Sequence, residues 1–234
     1  MNKIFNIDNP VMAFMGKIAD LIILNICALI CSIPIFTIGA SWTAMYYVAV
    51  KMVKKEESYI VKDFFKSFKE NFKQATLIWL MVLAAVAIFV GDFMIYRAMP
   101  DSIPKFVVVA LVVIAVFIFS TVLYIFPVLS HFDNTIKNTI KNAFLISMVN
   151  LPYTFLLIIL FILPFVLGYF VLQILPIIIL VGFSGPAFLA GFIWVRIFRK
   201  FEPKTEEEGA DETDFEGTDI EGTDIEEKDI EEKD

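Results

Sequence analysis

Long apolar runs separated by short polar segments dominate the first 200 residues of the chain. The first run, from Leu21 to Val50, is 30 residues long and has no charged side chain. As one helix it would extend about 45 Å, whereas the hydrocarbon core of a bilayer is roughly 30 Å thick. Pro34 and Gly39 lie near its middle and would interrupt a helix there. The pattern predicts a membrane hairpin of two spans or one strongly kinked span.

The later apolar runs predict further spans, and the last one, from Asn142 to Val195, contains 54 residues without a charge. We therefore expect an all-α fold, a polytopic transmembrane helical bundle formed by residues 1–200. With the first run read as a hairpin, the predicted spans are 18–34, 36–53, 75–97, 104–127, 143–168 and 174–195. With the first run read as one kinked span, the bundle has five spans.

Two polar segments, 58–73 and 132–142, have the periodicity of amphipathic helices. In the first segment, apolar side chains share one helical face beside a stripe of lysines. We predict that these residues bind the membrane surface or dock a partner: Lys62, Phe64, Phe65, Lys66, Phe68, Lys69, Phe72 and Lys73. The alternative is an amphipathic helix packed on the rest of the protein, and the two interpretations are compatible. Residues 68–77 and 136–145 also form a short internal repeat, FKENFKQATL and IKNTIKNAFL.

Charge divides the chain into two unlike regions. Residues 201–234 contain 17 Asp or Glu and three Lys, whereas residues 1–200 have a net charge of +7. The acidic segment repeats EGTD and IEEKD and predicts a disordered, solvated tail. Basic residues cluster at 51–73, 137–141 and 196–200, so the positive-inside rule places these loops and the C-terminus in the cytoplasm. Six spans then place the N-terminus there too.

Groups suited to catalysis or metal binding are scarce. The chain has one histidine, His131, and no HExxH, GxSxG or Walker-type motif. Cys27 and Cys31 suit small packing residues, and Asp20 and Asp92 suit anchors near span ends. Asn25, Asn150 and Gln173 are polar groups that could bond between helices. We therefore predict no catalytic residue, metal site, cofactor or nucleic-acid partner.

Several segments, taken in order, resemble the YesL-type family of bacterial membrane proteins over about residues 4–201. They are the motif Asp8, Asn9 and Pro10, the segment SIPIFTIGAS (32–41), the FFKSFK helix (64–69), and GFSGPAFLAGFIWVRIFRKF (182–201). The family is one of unknown function, typical of Gram-positive Firmicutes. Its members are commonly encoded beside sugar-uptake ABC transporters, polysaccharide-degrading enzymes and two-component regulators. The resemblance implies a role near carbohydrate import and supplies no established site residue.

The leading hypothesis is a non-enzymatic, multi-pass plasma-membrane protein that is an accessory of carbohydrate ABC-type uptake or of its sensing. Its expected partners are the lipid bilayer and the permease or sensor subunits, and a homo-oligomer is compatible with this role. The alternative is an independent transporter or channel for a small solute. Its ligand site would lie between two helix breaks, one at Pro34 and Gly39 and the other at Gly182, Gly185 and Pro186. A membrane scaffold without a ligand is the third hypothesis.

Overall fold

A computed structural model describes residues 10–56, 59–98, 104–171, 173 and 175–201. The described helices are α1 (Pro10–Cys31), α2 (Ile38–Lys54), α3 (Ile60–Ala98), α4 (Lys105–His131), α5 (Ile136–Val149), α6 (Leu151–Phe170), α7 (Leu175–Val181) and α8 (Ser184–Phe198), with a 3-10 turn at Ile35–Thr37 between α1 and α2. This part of the chain has no strand, so the predicted all-α class is confirmed. The predictions for Asp8, Asn9 and residues 202–234 lie outside the described residues.

Four helices in the described part are long and apolar enough to cross a membrane. They are Phe14–Cys31, Ile60–Ala98, Lys105–His131 and Leu151–Phe170. The predicted class of polytopic membrane protein agrees with this, but the count of six spans is not confirmed. The reason is length, because α2 has 17 residues and the last apolar region is divided into α7 and α8, with 7 and 15 residues. The orientation of the spans stays a prediction.

Backbone contacts divide the chain into two units, residues 1–196 and residues 197–234. Of the second unit, the structure describes the last two residues of α8 and the turn that follows them. In this turn the amide of Lys200 donates to the carbonyl of Ile197 at 3.1 Å, and the amide of Phe201 donates to that of Phe198 at 2.8 Å.

The long helix α3 joins two regions that the sequence predicts as separate elements, 58–73 and 75–97. It runs without interruption for 39 residues, or about 58 Å. No glycine or proline occurs between Ile60 and Val90, so nothing in this stretch ends or kinks a helix. The segment predicted as an amphipathic helix is therefore continuous with the predicted span.

The short helix α2 lies at the centre of the bundle, and ten of its 17 residues are buried. It runs antiparallel to the N-terminal half of α3 (60–79). At one end a Cβ added to Gly39 would lie 2.7 Å from both the carbonyl oxygen of Ala75 and the Cβ of Trp79. At the other end Lys51 Nζ lies 3.0 Å from Asp63 Oδ2. Since α2 begins beside Trp79, it leaves the C-terminal half of α3 (80–98) without this neighbour.

The last three predicted elements differ from the observed helices in their boundaries. The predicted segments 132–142 and 143–168 correspond to α5 and α6, which meet at Asn150, whose backbone is not helical (φ −112°, ψ 38°). Pro152 follows in the first turn of α6, where a missing N–H costs nothing. The predicted span 174–195 is interrupted at Gly182 and Phe183, between α7 and α8.

Candidate functional site

An apolar cavity of about 650 Å³ lies where α2 ends its contact with α3. Helices α3, α4 and α6 form its walls, and side chains of α2 reach it from its N-terminal turns. Aromatic rings are common in the lining, which includes Trp42, Tyr46, Trp79, Phe89, Phe93, Phe119, Phe126, Phe161 and Phe183. The lining contains no charged side chain. A cavity of this size and composition suits an apolar ligand.

The first predicted helix break, at Pro34 and Gly39, lies against a wall of this cavity. Thr37 caps the break, since its Oγ1 is 2.6 Å from the Cys31 carbonyl oxygen and 2.7 Å from that of Pro34. The indole N–H of Trp79 donates to the Ile35 carbonyl at 2.7 Å. The exposed carbonyls of the break are thus bonded within the protein, and Trp79 connects the break to the cavity.

The second predicted break, between α7 and α8, is held by the buried side chain of Asn25. The amide Nδ2 of Asn25 donates to the Ile179 carbonyl at 2.8 Å, and its Oδ1 accepts from the amides of Phe183 and Ser184 at 3.2 and 2.9 Å. Ser184 Oγ donates to the carbonyl of Leu21 at 2.8 Å. The carbonyl of Ile179 and the amides of Phe183 and Ser184 lie at the ends that α7 and α8 leave open. Asn25 therefore substitutes for the missing helical hydrogen bonds.

None of the five residues predicted at the two breaks lines the cavity. The first break adjoins it through Trp79 of α3, which bonds to Ile35, and the second adjoins it through Phe183. Gly182 fits the break sterically, since a Cβ there would overlap the carbonyl oxygen of Ile178. Gly185 and Pro186 lie in the first turn of α8. The second break contributes the ring of Phe183 to the cavity, and the first break contributes no side chain of its own. The backbone groups described above are bonded within the protein. A ligand here would be recognised by apolar contact.

The lysine stripe of α3 lies around a second, open recess of about 760 Å³. We call it the lysine recess, and it is lined by Asp20, Ile23, Tyr59, Ile60, Val61, Lys62, Phe65, Lys66 and Lys69. Within the described structure none of its three lysines forms an ion pair. Lys73 continues the stripe and is also exposed. The recess thus combines unpaired positive charge with apolar walls.

The phenylalanines predicted beside this stripe have different environments. Phe64 is fully buried on the side of α3 that packs on α2, so it belongs to the protein core and is unavailable to a membrane or a partner. Phe65 is 40% exposed and lines the lysine recess. Phe68 and Phe72 are half-buried, with ring centroids 5.4 Å apart. Phe64 therefore packs within the protein, as the alternative interpretation of this helix predicts. Only Phe65, Phe68 and Phe72 are exposed enough to dock a partner.

One ion pair fixes the start of α3 to the end of α2. Lys51 Nζ donates to Asp63 Oδ2 at 3.0 Å, and both side chains are mostly shielded from solvent. The hydrogen bond to Asp63 raises the pKa of Lys51 above its usual value of 10.5. Lys51 therefore contributes to packing and not to the charge that the lysine recess presents.

A buried polar cluster between α4 and α6 was not predicted from the sequence. The hydroxyl of Tyr124 lies 2.9 Å from Thr154 Oγ1 and 3.4 Å from the Asn150 carbonyl. Asn150 was predicted to bond between helices, but its side chain donates to Ile146 of the helix before it, and Gln173 is exposed. The available signal was a hydroxyl-bearing residue inside an apolar run. In the described part no three His, Cys, Asp or Glu side chains group as a metal site.

These features define the class of the molecule, an all-α protein with several helices able to cross a membrane. The family model described as a protein of unknown function, DUF624, matches residues 21–93, which include α2 and most of α3. The uncharacterised protein YesL of Bacillus subtilis (strain 168) is 25% identical over 197 residues, covering 83% of this chain and 90% of that protein. No solved structure matches the chain. The resemblance to the YesL-type family is confirmed.

Proposed function

We propose that this protein is a non-enzymatic accessory of carbohydrate ABC-type uptake, or of its sensing, and that it docks a subunit of that system on the lysine recess. The observation that carries the proposal is the recess itself, in which three lysines that form no ion pair outnumber one carboxylate, that of Asp20, around apolar side chains on an uninterrupted helix. The carbohydrate context comes from the resemblance to the YesL-type family. Members of that family are commonly encoded beside such importers.

The continuity of α3 supports a docking role. The lysines Lys62, Lys66 and Lys69 lie on a helix that continues through its apolar half without a hinge. A partner bound there is held at a fixed position relative to the membrane-crossing part of the chain. Positive charges at the edge of a recess favour association with an acidic surface, and the apolar side chains Ile23 and Phe65 supply contact area.

The test is a pull-down of the tagged full chain from its native host in mild detergent, read by mass spectrometry. We expect permease or sensor subunits of a carbohydrate importer to be recovered in defined proportion. The variant Lys62→Glu/Lys66→Glu should reduce that recovery by about tenfold or more, because each reversal turns attraction into repulsion. Lys137→Glu/Lys141→Glu, with the same spacing on α5, is the matched control and should retain the partner. Recovery of the protein alone, or equal loss in both variants, would reject the proposal.

A second candidate function, transport of a small solute, has its own observation, the cavity between the two helix breaks. Its lining is almost wholly apolar and offers few hydrogen-bonding groups, which favours an apolar solute over a sugar. Purified protein in liposomes should then move an apolar solute, and Val86→Trp, which fills the cavity from α3, should slow the flux several-fold. Val109→Trp, on an exposed position of α4 that does not line the cavity, is the control. Liposomes that show no protein-dependent flux would exclude this candidate.

A further inference from the structure

A third recess, which we call the α3–α4 groove, has an apolar length and a positively charged end. Its volume is about 470 Å³. Helices α3 and α4 form its length, and α5 closes one end. The lining comprises Ile78, Met81, Val82, Ala85, Ile118, Thr121, Val122, Ile125, Lys137, Ile140, Lys141 and Phe144. Four of these side chains, Val82, Ala85, Ile118 and Val122, also line the apolar cavity and so separate the two spaces.

The charged end is formed by one face of α5. Lys137, Ile140, Lys141 and Phe144 follow the spacing i, i+3, i+4, i+7, which places them on the same side of a helix. Both lysines are exposed, and in the described structure neither forms an ion pair. Two positive charges that form no ion pair therefore lie at one end of an apolar groove.

The rest of the groove offers nothing to a polar ligand. Its one hydroxyl group in the apolar part, Thr121 Oγ1, donates to the Phe117 carbonyl of its own helix at 2.7 Å. The other side chains contributed by α3 and α4 are aliphatic, Ala or Met. Both helices are among those long and apolar enough to cross a membrane, and in a membrane this length of the groove would face hydrocarbon.

We propose that the α3–α4 groove is a binding site for one acidic membrane lipid. A chain of the lipid lies along the groove between α3 and α4, and its anionic phosphate-bearing headgroup is bound by Lys137 and Lys141. Charge complementarity selects an acidic lipid over a zwitterionic one, since a lysine near a membrane surface favours an acidic lipid by about fivefold in affinity. The site shares no residue with the lysine recess, so its test is independent of the docking role proposed above.

The control for the two lysines removes the same amount of charge outside every recess described above. Arg97, in the last turn of α3, and Lys105, the first residue of α4, are both exposed. Neither of them lines the α3–α4 groove, the apolar cavity or the lysine recess. A general effect of charge on lipid binding would therefore affect both pairs alike, and a specific site would affect one.

The experiment is native mass spectrometry of the full chain in non-ionic detergent, titrated with phosphatidylglycerol or phosphatidylcholine of the same acyl chains. We expect one phosphatidylglycerol to bind in preference to phosphatidylcholine. Lys137→Gln/Lys141→Gln should weaken the binding of phosphatidylglycerol by about 25-fold and abolish the preference, whereas Arg97→Gln/Lys105→Gln should change it by less than about twofold. Equal effects of the two variants, or no preference in the unaltered protein, would overturn the proposal.

A second pair of variants tests the place of the acyl chain without altering charge. Met81→Trp puts a larger side chain into the groove from a half-exposed position that does not line the apolar cavity. It should weaken the binding of phosphatidylglycerol several-fold, and Met94→Trp, on α3 outside the groove, should not. An excess of glycerol phosphate should fail to displace the lipid, because the chain contributes to binding. Full competition by glycerol phosphate, or equal binding by Met81→Trp, would exclude a lipid site in the groove.

Discussion

Most of helix α2 and the first half of α4 (105–119) lie in uncharged runs of the sequence, yet they have opposite environments. In α2 ten of 17 residues are buried, whereas most side chains of 105–119 are exposed. Helix α2 is rich in small and hydroxyl-bearing residues, which include Gly39, Ala40, Ser41, Thr43 and Ala44, and residues 106–119 are mostly Val, Ile and Phe. Lipid chains are as apolar as these side chains, so close packing and not hydrophobicity decides which helix becomes central.

The same contrast divides the first apolar run of the sequence. Hydropathy treats Leu21–Val50 as uniform, but α1 exposes Ile23, Ile26 and Ile30 while α2 is enclosed. Where small residues recur, a helix can approach its neighbours closely; where large aliphatic residues recur, it contacts lipid. If this comparison is right, enlarging a small residue in α2 should be the most damaging single change in the chain.

Gly39→Leu is therefore expected to have the largest effect. Any Cβ at Gly39 would lie 2.7 Å from Ala75 O and Trp79 Cβ, and one of these atoms belongs to the backbone of α3. Since neither can move aside cheaply, we expect a loss of about 3 kcal/mol in stability, at the upper end of overpacking effects. Thermal unfolding in detergent, followed by the monodisperse fraction, measures it.

The matched control is Gly91→Leu on α3, where no atom lies within 4 Å of an added Cβ. It should unfold at nearly the same temperature as the unaltered protein. Equal losses for Gly39→Leu and Gly91→Leu would mean that close packing around α2 is not what distinguishes the two regions.

Asn25→Leu is expected to cause the second largest loss of stability. It leaves the amides of Phe183 and Ser184 and the carbonyl of Ile179 without their partner, and each unsatisfied buried group costs about 1 to 3 kcal/mol. Because some of these groups can find new partners, we expect a total loss of about 2 kcal/mol. Hydrogen exchange should accelerate at 183–184 in particular, which a general loss of stability would not localise.

Asn138→Leu serves as its control, since Asn138 is exposed on α5 and is not part of the connection between α1 and α8. This substitution should leave exchange at 183–184 unchanged. If both variants accelerate exchange there equally, Asn25 does not hold the break.

The sequence predicted the features that depend on local composition and failed where partners are distant in the chain. The predicted division between 18–34 and 36–53 falls inside the observed turn after α1, because Pro34 cannot continue a helix. The partner of Asn25, Ile179, is 154 residues away, so no local pattern connects them. The apolar cavity was likewise not predicted from the sequence, since it arises from the short length of α2 relative to α3.

Tyr124→Phe tests a smaller polar contact between α4 and α6. The variant removes the hydroxyl that lies 2.9 Å from Thr154 Oγ1 and keeps the ring, which packs against Trp194 with centroids 4.9 Å apart. Hydrogen bonds between membrane helices average about 0.6 kcal/mol, and we expect a loss of that size. Tyr169→Phe, at an exposed position of α6, should have no measurable effect on thermal unfolding. A larger loss from Tyr169→Phe than from Tyr124→Phe would contradict the assignment.

The smallest expected effect is the coupling between Lys51 and Asp63. A double-mutant cycle with Lys51→Met and Asp63→Asn should give about 0.5 kcal/mol, the size of a partly solvated ion pair. Because Asp63 raises the pKa of Lys51, the coupling is fully present below the ordinary lysine value of 10.5 and is lost as the pH rises through the higher folded-state pKa. The control cycle uses Lys105, the first residue of α4, and Asp133, just beyond its last residue, and should give no coupling because the helix between them is about 40 Å long. A coupling between Lys51 and Asp63 that persists unchanged at strongly alkaline pH would show that α2 and α3 are held there by packing alone.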